Sequence, residues 1–354
     1  MAASAAESVV AYAGALRPRL RAARGNSVSA RIEDQEAARR GKRLVAAEVL
    51  ESEAGLLRAV VSGGAREAAA TSRVAVVLPG AFSCVRSYGA FTRALCQRVP
   101  GLAVLALGVP GLTREPALVA DVGAKVGATL PSRTLSVEDH VDYAAGFVDA
   151  VAAGTGGRVT VIGHSVGGYV AQRVTRACTD AVDHAVLCTP ILADMKDGPN
   201  VAELAKHATP AKCFVGAFGA VALLSKLPDA HARAVVGKVV PNETLVDEAV
   251  PLLRPHFAWN ATAYFRECVR AIDRPDATLF AETQDRTTIV WAPRDPWIAS
   301  RTVDRVQTLA PHARYVMGTA HKGTNVDEVI ARDLAHACLV RDPSASADLV
   351  ATLL

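Results

Sequence analysis

One serine in this sequence stands in a setting suited to nucleophilic chemistry. The pentapeptide around it is Gly163-His164-Ser165-Val166-Gly167, a G-x-S-x-G pattern that directly follows the apolar run 159–162. A sharp turn from a strand into a helix leaves no space for a Cβ beside the serine, which explains the two glycines. Such a turn exposes the hydroxyl and places a helix N-terminus beneath a developing oxyanion. The pattern predicts acyl-transfer chemistry at Ser165; a tight glycine turn with an incidental serine is the alternative.

Apolar strands alternate with amphipathic helices on both sides of this turn. The predicted strands cover residues 74–78, 102–107, 159–162, 184–188, 288–291 and 313–317. The predicted helices cover residues 137–151, 166–178, 299–309 and 326–339, the first of them with Ser136 as its N-cap. This alternation indicates an α/β fold, in which helices cover both faces of a mostly parallel sheet.

The strand pattern is interrupted after residue 190. Up to about residue 285 the sequence predicts short helices separated by prolines. We interpret this all-helical insertion as a lid, although a separate small domain with no functional coupling would give the same pattern. The predicted organisation is a basic extension over 1–43, a core over 44–190, the lid over 191–285 and the rest of the core over 286–354.

The serine pentapeptide, its flanking elements and the alternating pattern together resemble a serine hydrolase of the α/β-hydrolase fold, over roughly residues 44–341. The resemblance implies the chain order nucleophile, acid, histidine, because a hydroxyl needs a base and the base needs an orienting acid. It implies hydrolysis of a carboxylic ester or related acyl bond through an acyl-enzyme. No metal-ligand spacing, phosphate loop or dinucleotide fingerprint is found, so no cofactor is expected.

The resemblance assigns the base to His321. This histidine follows the predicted strand 313–317 and precedes the last predicted helix, where the family carries its histidine. A surface-loop histidine is the alternative. Six others fall in predicted helices or at their starts: His140, His207, His231, His256, His312 and His336.

The resemblance assigns the acid to Asp295, which follows the predicted strand 288–291. Asp194, after the strand that ends at Cys188, is the fallback because some family members take their acid there. The oxyanion hole is assigned to the backbone N–H groups of Ala81 and Val166. Two departures from the family pattern are Pro79 in place of a histidine and Ala292 in place of a glycine.

Composition and charge exclude several other classes. Apolar residues make up 51% of the 354 residues and charged residues 21%, which is enough apolar material for a core and excludes wholesale disorder. No apolar run approaches the roughly 18 residues of a membrane span. The net charge of +4 arises in residues 1–43, so no nucleic-acid-binding surface is expected. Seven cysteines without a C-x-x-C pair indicate a reducing compartment. The Arg-rich start suggests either a solvated extension of a cytoplasmic protein or a mitochondrial transit peptide.

The expected partner is a small-molecule ester or acyl substrate. Segment 213–224 is apolar nearly all round, and an aromatic group follows it; both favour an apolar acyl or aryl ester over a sugar or phosphate. Packing among lid helices would explain both features equally well. The aromatic residues are Phe257, Trp259, Tyr264 and Phe265. An acyltransferase, a proline-type aminopeptidase and a non-catalytic protein of the same fold stay open, and the oligomeric state is not predicted.

Overall fold

The computed structural model of the chain describes residues 49–51, 73–81, 83, 85–109, 112, 136–202, 227–238, 246, 250, 255–292, 295–317 and 336–354. Within these residues, seven strands form one sheet. They are β1 (Val49–Glu51), β2 (Arg73–Leu78), β3 (Leu102–Leu107), β4 (Val159–His164), β5 (Val182–Cys188), β6 (Thr287–Trp291) and β7 (Arg314–Met317).

The strand order across the sheet is β1-β3-β2-β4-β5-β6-β7. Only β1 runs antiparallel to its neighbour, and every other pairing is parallel. The carboxyl ends of β2, β4, β5 and β6 therefore meet at one edge, where Leu78 pairs with Gly163 and His164 pairs with Cys188. In open α/β sheets this edge is where ligands bind. The predicted α/β architecture with a mostly parallel sheet is confirmed.

Three predicted helices, over 137–151, 166–178 and 299–309, are confirmed to within a few residues; the fourth, over 326–339, lies outside the described residues up to 335 and is wrong at its end, where a turn precedes a helix that begins at Cys338. Ser136 caps the second helix, its hydroxyl accepting from the Asp139 N–H at 3.1 Å while the Asp139 carboxylate accepts from the Ser136 N–H at 3.0 Å. The helices are α1 (Gly89–Arg98), α2 (Val137–Thr155), α3 (Val166–Ala177), α4 (Asp229–Gly237), α5 (Pro255–Ala271), α6 (Ala277–Thr283), α7 (Ser300–Leu309), α8 (Cys338–Arg341) and α9 (Pro343–Leu353).

Each face of the sheet has its own hydrophobic core. Alternate residues of β2 belong to different cores: Val74, Val76 and Leu78 lie in one core, whereas Ala75 and Val77 lie in the other. Helices α2, α3 and α7 contribute to the first core, and α1, α8 and α9 to the second. Burial on both faces explains why the central strands read as continuous apolar runs.

Only helical elements occur between β5 and β6 in the described part of segment 189–286. They divide into two groups. Helices α5 and α6 add residues such as Tyr264 and Phe280 to the first core, whereas a separate small cluster consists of Ala232, Val236, Val246 and Val250. The apolar segment 213–224 lies outside the described residues, so the lid stays a prediction. Among the described helices, none is long and apolar enough to cross a bilayer.

Candidate active site

Ser165 lies in the turn between β4 and α3, at the edge where the parallel strands end. Its backbone angles are φ 55° and ψ −123°, which an L-residue adopts only when its surroundings enforce them. The glycines enforce the close approach: a Cβ on Gly167 would lie 2.1 Å from the carbonyl oxygen of Leu78, and one on Gly163 would lie 2.5 Å from that of Gly167. The G-x-S-x-G spacing therefore reflects contact between α3 and the ends of β2 and β4.

Three side chains form a continuous hydrogen-bonded row at this turn. The Ser165 Oγ is 2.8 Å from Nε2 of His336, and Nδ1 of the same ring is 2.7 Å from Oδ2 of Asp295. A carboxylate only accepts, so Nδ1 carries the proton and Nε2 is free to accept from the serine hydroxyl. The Asp295 side chain is 4% exposed and that of His336 14% exposed. Such a row can deprotonate the hydroxyl when it attacks a carbonyl.

Trp297 and its backbone hold the acid and the histidine in place. The N–H of Trp297 donates to Oδ1 of Asp295 at 2.9 Å, which occupies the carboxylate oxygen that does not face His336. The indole stacks on the imidazole of His336, with ring centroids 5.7 Å apart and an interplanar angle of 29°. Phe265 on α5 meets the indole edge-on at 6.4 Å. The imidazole is thus fixed by a hydrogen bond along its plane and by an aromatic contact on its face.

The sequence around these residues also identifies the family to which the chain belongs. Residues 71–336, well over half of the chain, match the lipid-droplet associated hydrolase family. The chain belongs to that family. The match ends at His336, so it spans Ser165, Asp295 and the histidine of the row. No curated protein matches the sequence significantly.

Solved structures agree with this hydrolase in fold. A carboxylesterase of Nitrososphaera gargenis superposes with a TM-score of 0.55 at 12% identity, covering 88% of this chain and 95% of its own. A 2-hydroxy-6-oxo-6-phenylhexa-2,4-dienoate hydrolase from a Rhodococcus strain gives 0.52 at 13% identity, covering 86% and 93%. A bacterial membrane phospholipase A gives 0.54 at 15% identity, covering 92% and 90%. These structures share the α/β-hydrolase fold, and with the family match they identify the protein as an α/β-hydrolase enzyme.

The histidine of the row is His336, and this corrects the sequence interpretation, which chose His321. His321 lies outside the described residues, and the imidazole that bonds both Ser165 and Asp295 belongs to His336. The physical reason is the position of the last helices. A single predicted helix over 326–339 placed His336 inside it, whereas the structure has His336 and Ala337 in a turn and begins α8 at Cys338.

Asp295 holds the position predicted for the acid, and the fallback residue Asp194 lies elsewhere. The buried Asp194 carboxylate accepts from Arg305 at 2.7 Å and from Thr302 at 3.1 Å, both on α7. It therefore serves to join the segment after β5 to α7. Its own φ of 49° shows that this attachment is made at some backbone cost.

The two backbone groups predicted for the oxyanion hole belong to Val166, directly after Ser165, and to Ala81, in the loop after β2. Val166 is the first residue of α3, so its N–H has no partner within the helix. Ala81 is buried and follows Gly80, whose position is so close to the nucleophile that a Cβ there would lie 3.1 Å from the Cβ of Ser165. The N–H of Gly80 is directed at the Tyr88 hydroxyl at 3.1 Å. Ala81 is thus the next N–H of this loop, and its part in an oxyanion hole stays a prediction.

Two buried groups near the row differ in what burial does to them. Burial, with a smaller contribution from the neighbouring His336, lowers the pKa of His164 to about 3, so this imidazole is neutral. Burial raises the pKa of the Cys338 thiol to about 11, so the sulfur nearest His336 in sequence stays protonated. Neither the neutral His164 imidazole nor the protonated Cys338 thiol carries a charge beside the row. The sequence analysis missed the stacking of Trp297 on His336 and the hydrogen bond of Tyr88 to His164, because each joins residues that are distant in the chain.

Proposed function

We propose that this hydrolase cleaves carboxylic esters of small apolar substrates through an acyl-enzyme on Ser165. One observation carries the proposal: the unbroken row from Ser165 through His336 to Asp295, with hydrogen bonds of 2.8 and 2.7 Å. Its two histidine nitrogens are already in the protonation pattern that general-base catalysis requires. A protein of this fold without chemistry would have no need of that complete row.

Acylation would start with attack of the Ser165 oxygen on the ester carbonyl carbon, while the hydroxyl proton passes to Nε2 of His336. The imidazolium that forms is stabilised by the Asp295 carboxylate, which keeps its charge. The N–H groups of Val166 and Ala81 would receive the negative charge that develops on the carbonyl oxygen. His336 then returns the proton to the leaving alcohol, and water repeats the sequence to release the acid.

An apolar acyl or aryl group is the substrate feature that the surroundings favour. Trp297 and Phe265 are both partly exposed and form an aromatic wall beside His336. Such a wall contributes hydrophobic contact to an acyl chain or ring and offers few polar groups for a sugar or phosphate. A substrate of this kind also agrees with the family's description as lipid-droplet associated.

The test uses p-nitrophenyl esters of increasing chain length with the purified full chain. We expect a burst of p-nitrophenol equal to the enzyme concentration, followed by steady turnover. Ser165→Ala should lower kcat by on the order of 10⁵- to 10⁶-fold. A fluorophosphonate should label the wild type once, on the peptide that contains Ser165.

Ser83 provides the matched control, because it is the other hydroxyl beside Gly80. The Ser83→Ala variant should still be labelled on Ser165. Turnover that persists in Ser165→Ala, or labelling that disappears in Ser83→Ala but not in Ser165→Ala, would exclude Ser165 as the nucleophile. Product analysis with added alcohols separates ester hydrolysis from acyl transfer.

A further inference from the structure

His164, the residue before the nucleophile, bonds a different part of the same histidine that Ser165 bonds. Its Nε2 lies 2.7 Å from the backbone carbonyl oxygen of His336, whereas its Nδ1 lies 2.6 Å from the hydroxyl of Tyr88. Tyr88 is fully buried and His164 is 3% exposed. Two consecutive residues of the turn thus hold His336 at two points, its ring and its main chain.

The protons of this network can be placed from the chemistry of the groups. The His336 carbonyl only accepts, so Nε2 of the neutral His164 ring carries the hydrogen. Nδ1 is then an acceptor, and the Tyr88 hydroxyl must donate to it. The Tyr88 oxygen is left to accept, and the N–H of Gly80 donates to it at 3.1 Å. Every donor in the sequence Gly80, Tyr88, His164 therefore meets an acceptor, and the network ends on His336.

The side chain of a second residue reaches the same carbonyl. Thr189, immediately after β5, has its Oγ1 2.8 Å from the carbonyl oxygen of His336. Thr189 adopts a φ of 45°, so like Ser165 it sits in a strained backbone conformation beside the row. The ends of β4 and β5 thus each present one side chain to the main chain of His336.

We propose that His164 and Tyr88 are positioning residues for ester hydrolysis: they fix the main chain of His336 and the Gly80 loop relative to Ser165. The inference rests on the proposed function. Its physical basis is preorganisation, because donors and bases that are already in place need no rearrangement when charge develops. The network joins the loop that carries Ala81 to the turn that carries His336. Loss of either link would let the two move independently, and a displacement of about 1 Å can cost about 10²-fold in rate.

Tyr88→Phe tests the proposal, because it removes one hydroxyl and keeps the ring. We expect kcat for a p-nitrophenyl ester to fall about 10- to 100-fold, with KM changed by less than about twofold, since no substrate contact is removed. Tyr264→Phe is the matched control. The Tyr264 hydroxyl makes the same 2.6 Å bond to a buried histidine, His140. Tyr264 is only 2% exposed and lies in the first core, which is the packing alternative of the sequence analysis, so it is not open to a substrate and kcat of Tyr264→Phe should stay within about twofold of wild type.

His164 itself gives the rescue experiment. His164→Leu removes the donor to His336 and should lower kcat about 100-fold. His164→Gln places an amide N–H where Nε2 lies and should recover at least 10-fold of that loss. Equal kcat in the leucine and glutamine variants, or equal kcat in Tyr88→Phe and Tyr264→Phe, would overturn the proposal. Should Tyr88→Phe fail to fold, Thr189→Val removes the side-chain donor that shares the His336 carbonyl with His164: a fall in kcat of about 5-fold or more is expected, and an unchanged kcat would refute the network.

Labelling separates failure of this inference from failure of the proposed function. If a fluorophosphonate labels wild-type Ser165 and labels Tyr88→Phe at the same rate, the positioning role is wrong while the proposed function stands. If the wild type is not labelled at Ser165, the proposed function itself is wrong. The expected result is labelling of both proteins at Ser165, with a rate constant about 10- to 100-fold lower in Tyr88→Phe.

Discussion

The described part of the chain contains two buried histidine–tyrosine pairs with almost the same geometry. In one, Tyr88 and His164 share a 2.6 Å hydrogen bond, with ring centroids 5.7 Å apart and planes at 67°. In the other, Tyr264 and His140 share a 2.6 Å hydrogen bond, with centroids 5.6 Å apart and planes at 66°. Burial lowers the pKa of His164 to about 3 and that of His140 to about 4. In the two pairs, the hydrogen-bond length, the ring arrangement and the direction of the pKa shift are therefore nearly the same.

They differ in what the second imidazole nitrogen meets. Nε2 of His164 bonds the carbonyl of His336, whereas Nε2 of His140 has no hydrogen-bond partner in the described part of the chain. The first pair is therefore a link between two loops of the active site, and the second joins α2 to α5 within one core. A buried ionisable pair is thus a weak indicator of function by itself. The partner at its far end decides whether it belongs to the site.

The largest expected difference in kcat comes from substituting His336, the residue at the end of the connected pair. His336→Gln should lower kcat by about 10⁴-fold or more, because the base for Ser165 is lost. His140→Gln alters the unconnected pair and should keep kcat within about threefold while lowering the melting temperature. Steady-state kinetics and thermal unfolding of both variants check this. A His140→Gln variant as inactive as His336→Gln would show that the second pair also serves the chemistry.

The acid behind His336 extends the comparison to two buried carboxylates. Asp295→Asn keeps the shape but allows the wrong imidazole tautomer, so kcat should fall on the order of 10⁴-fold. Asp194→Asn should leave kcat within about threefold, because its partners are Thr302 and Arg305 on α7. Burst kinetics with a p-nitrophenyl ester distinguish the two. Loss of the burst in Asp194→Asn alone would move the acid to that residue.

Glycine substitutions near each pair give a smaller contrast. An added Cβ on Gly80 would lie 3.1 Å from the Cβ of Ser165, so Gly80→Ala should displace the loop and lower kcat about 10-fold. Gly146 lies on α2, the helix of His140, and a Cβ there would meet nothing within 4 Å. Gly146→Ala should leave kcat unchanged and add about 0.5–1 kcal/mol to the free energy of unfolding. Urea titration measures the second effect, and a stabilised, fully active Gly80→Ala variant would contradict the first.

The weakest contrast is in acid stability, where the two pairs should behave alike. Both histidines have folded-state pKa values below the ordinary value of about 6.5, so below that pH the unfolded chain binds more protons than the folded one. Their stabilising contribution is complete above pH 6.5 and is lost as the pH falls towards 4 for His140 and 3 for His164. By pH 5 the loss should be about 2 kcal/mol for each histidine.

Phenylalanine substitutions isolate that contribution. Replacing either histidine by Phe should reduce the fall in the free energy of unfolding between pH 7 and pH 5, by a similar amount in the two variants. Urea titration at the two pH values measures it. A fall as large in both variants as in the wild type would show that neither histidine is neutral by virtue of burial.

The sequence was sufficient where the signal is local. The strand over 102–107 is predicted to the residue, and Ser165 and Asp295 are found because each lies within a few residues of the end of an apolar strand. The glycine spacing around Ser165 records a backbone contact, and backbone contacts restrict residue type strongly. For these reasons the sheet, the turn at Ser165 and the position of Asp295 could all be predicted from the sequence.

His336 could not be found in that way, because a histidine in such a row does not restrict the types of the residues next to it in the sequence. The apolar spacing of residues 329, 330, 334 and 338 extended the last predicted helix over His336. One local signal of the helix arrangement was available in Asp342 and Pro343. Asp342 caps α9, its carboxylate accepting from the Ala345 N–H at 3.2 Å, and Pro343 is the first residue of that helix, so a new helix begins there, separate from α8. The His164 network was beyond reach, because its partners Tyr88 and His336 lie far from it in sequence.

The long connection between β5 and β6 affects how much sequence change the fold of this enzyme can accommodate. These neighbouring strands are in register from Ala185 with Thr287, yet a segment of roughly one hundred residues connects them. The entropy of closing a loop grows only with the logarithm of its length, so a connection this long costs about 1–1.5 kcal/mol more than one of twenty residues. Insertions, deletions or exchanges within it are therefore cheap for the fold. Such changes would leave the strands that precede Ser165, Thr189 and Asp295 paired as they are.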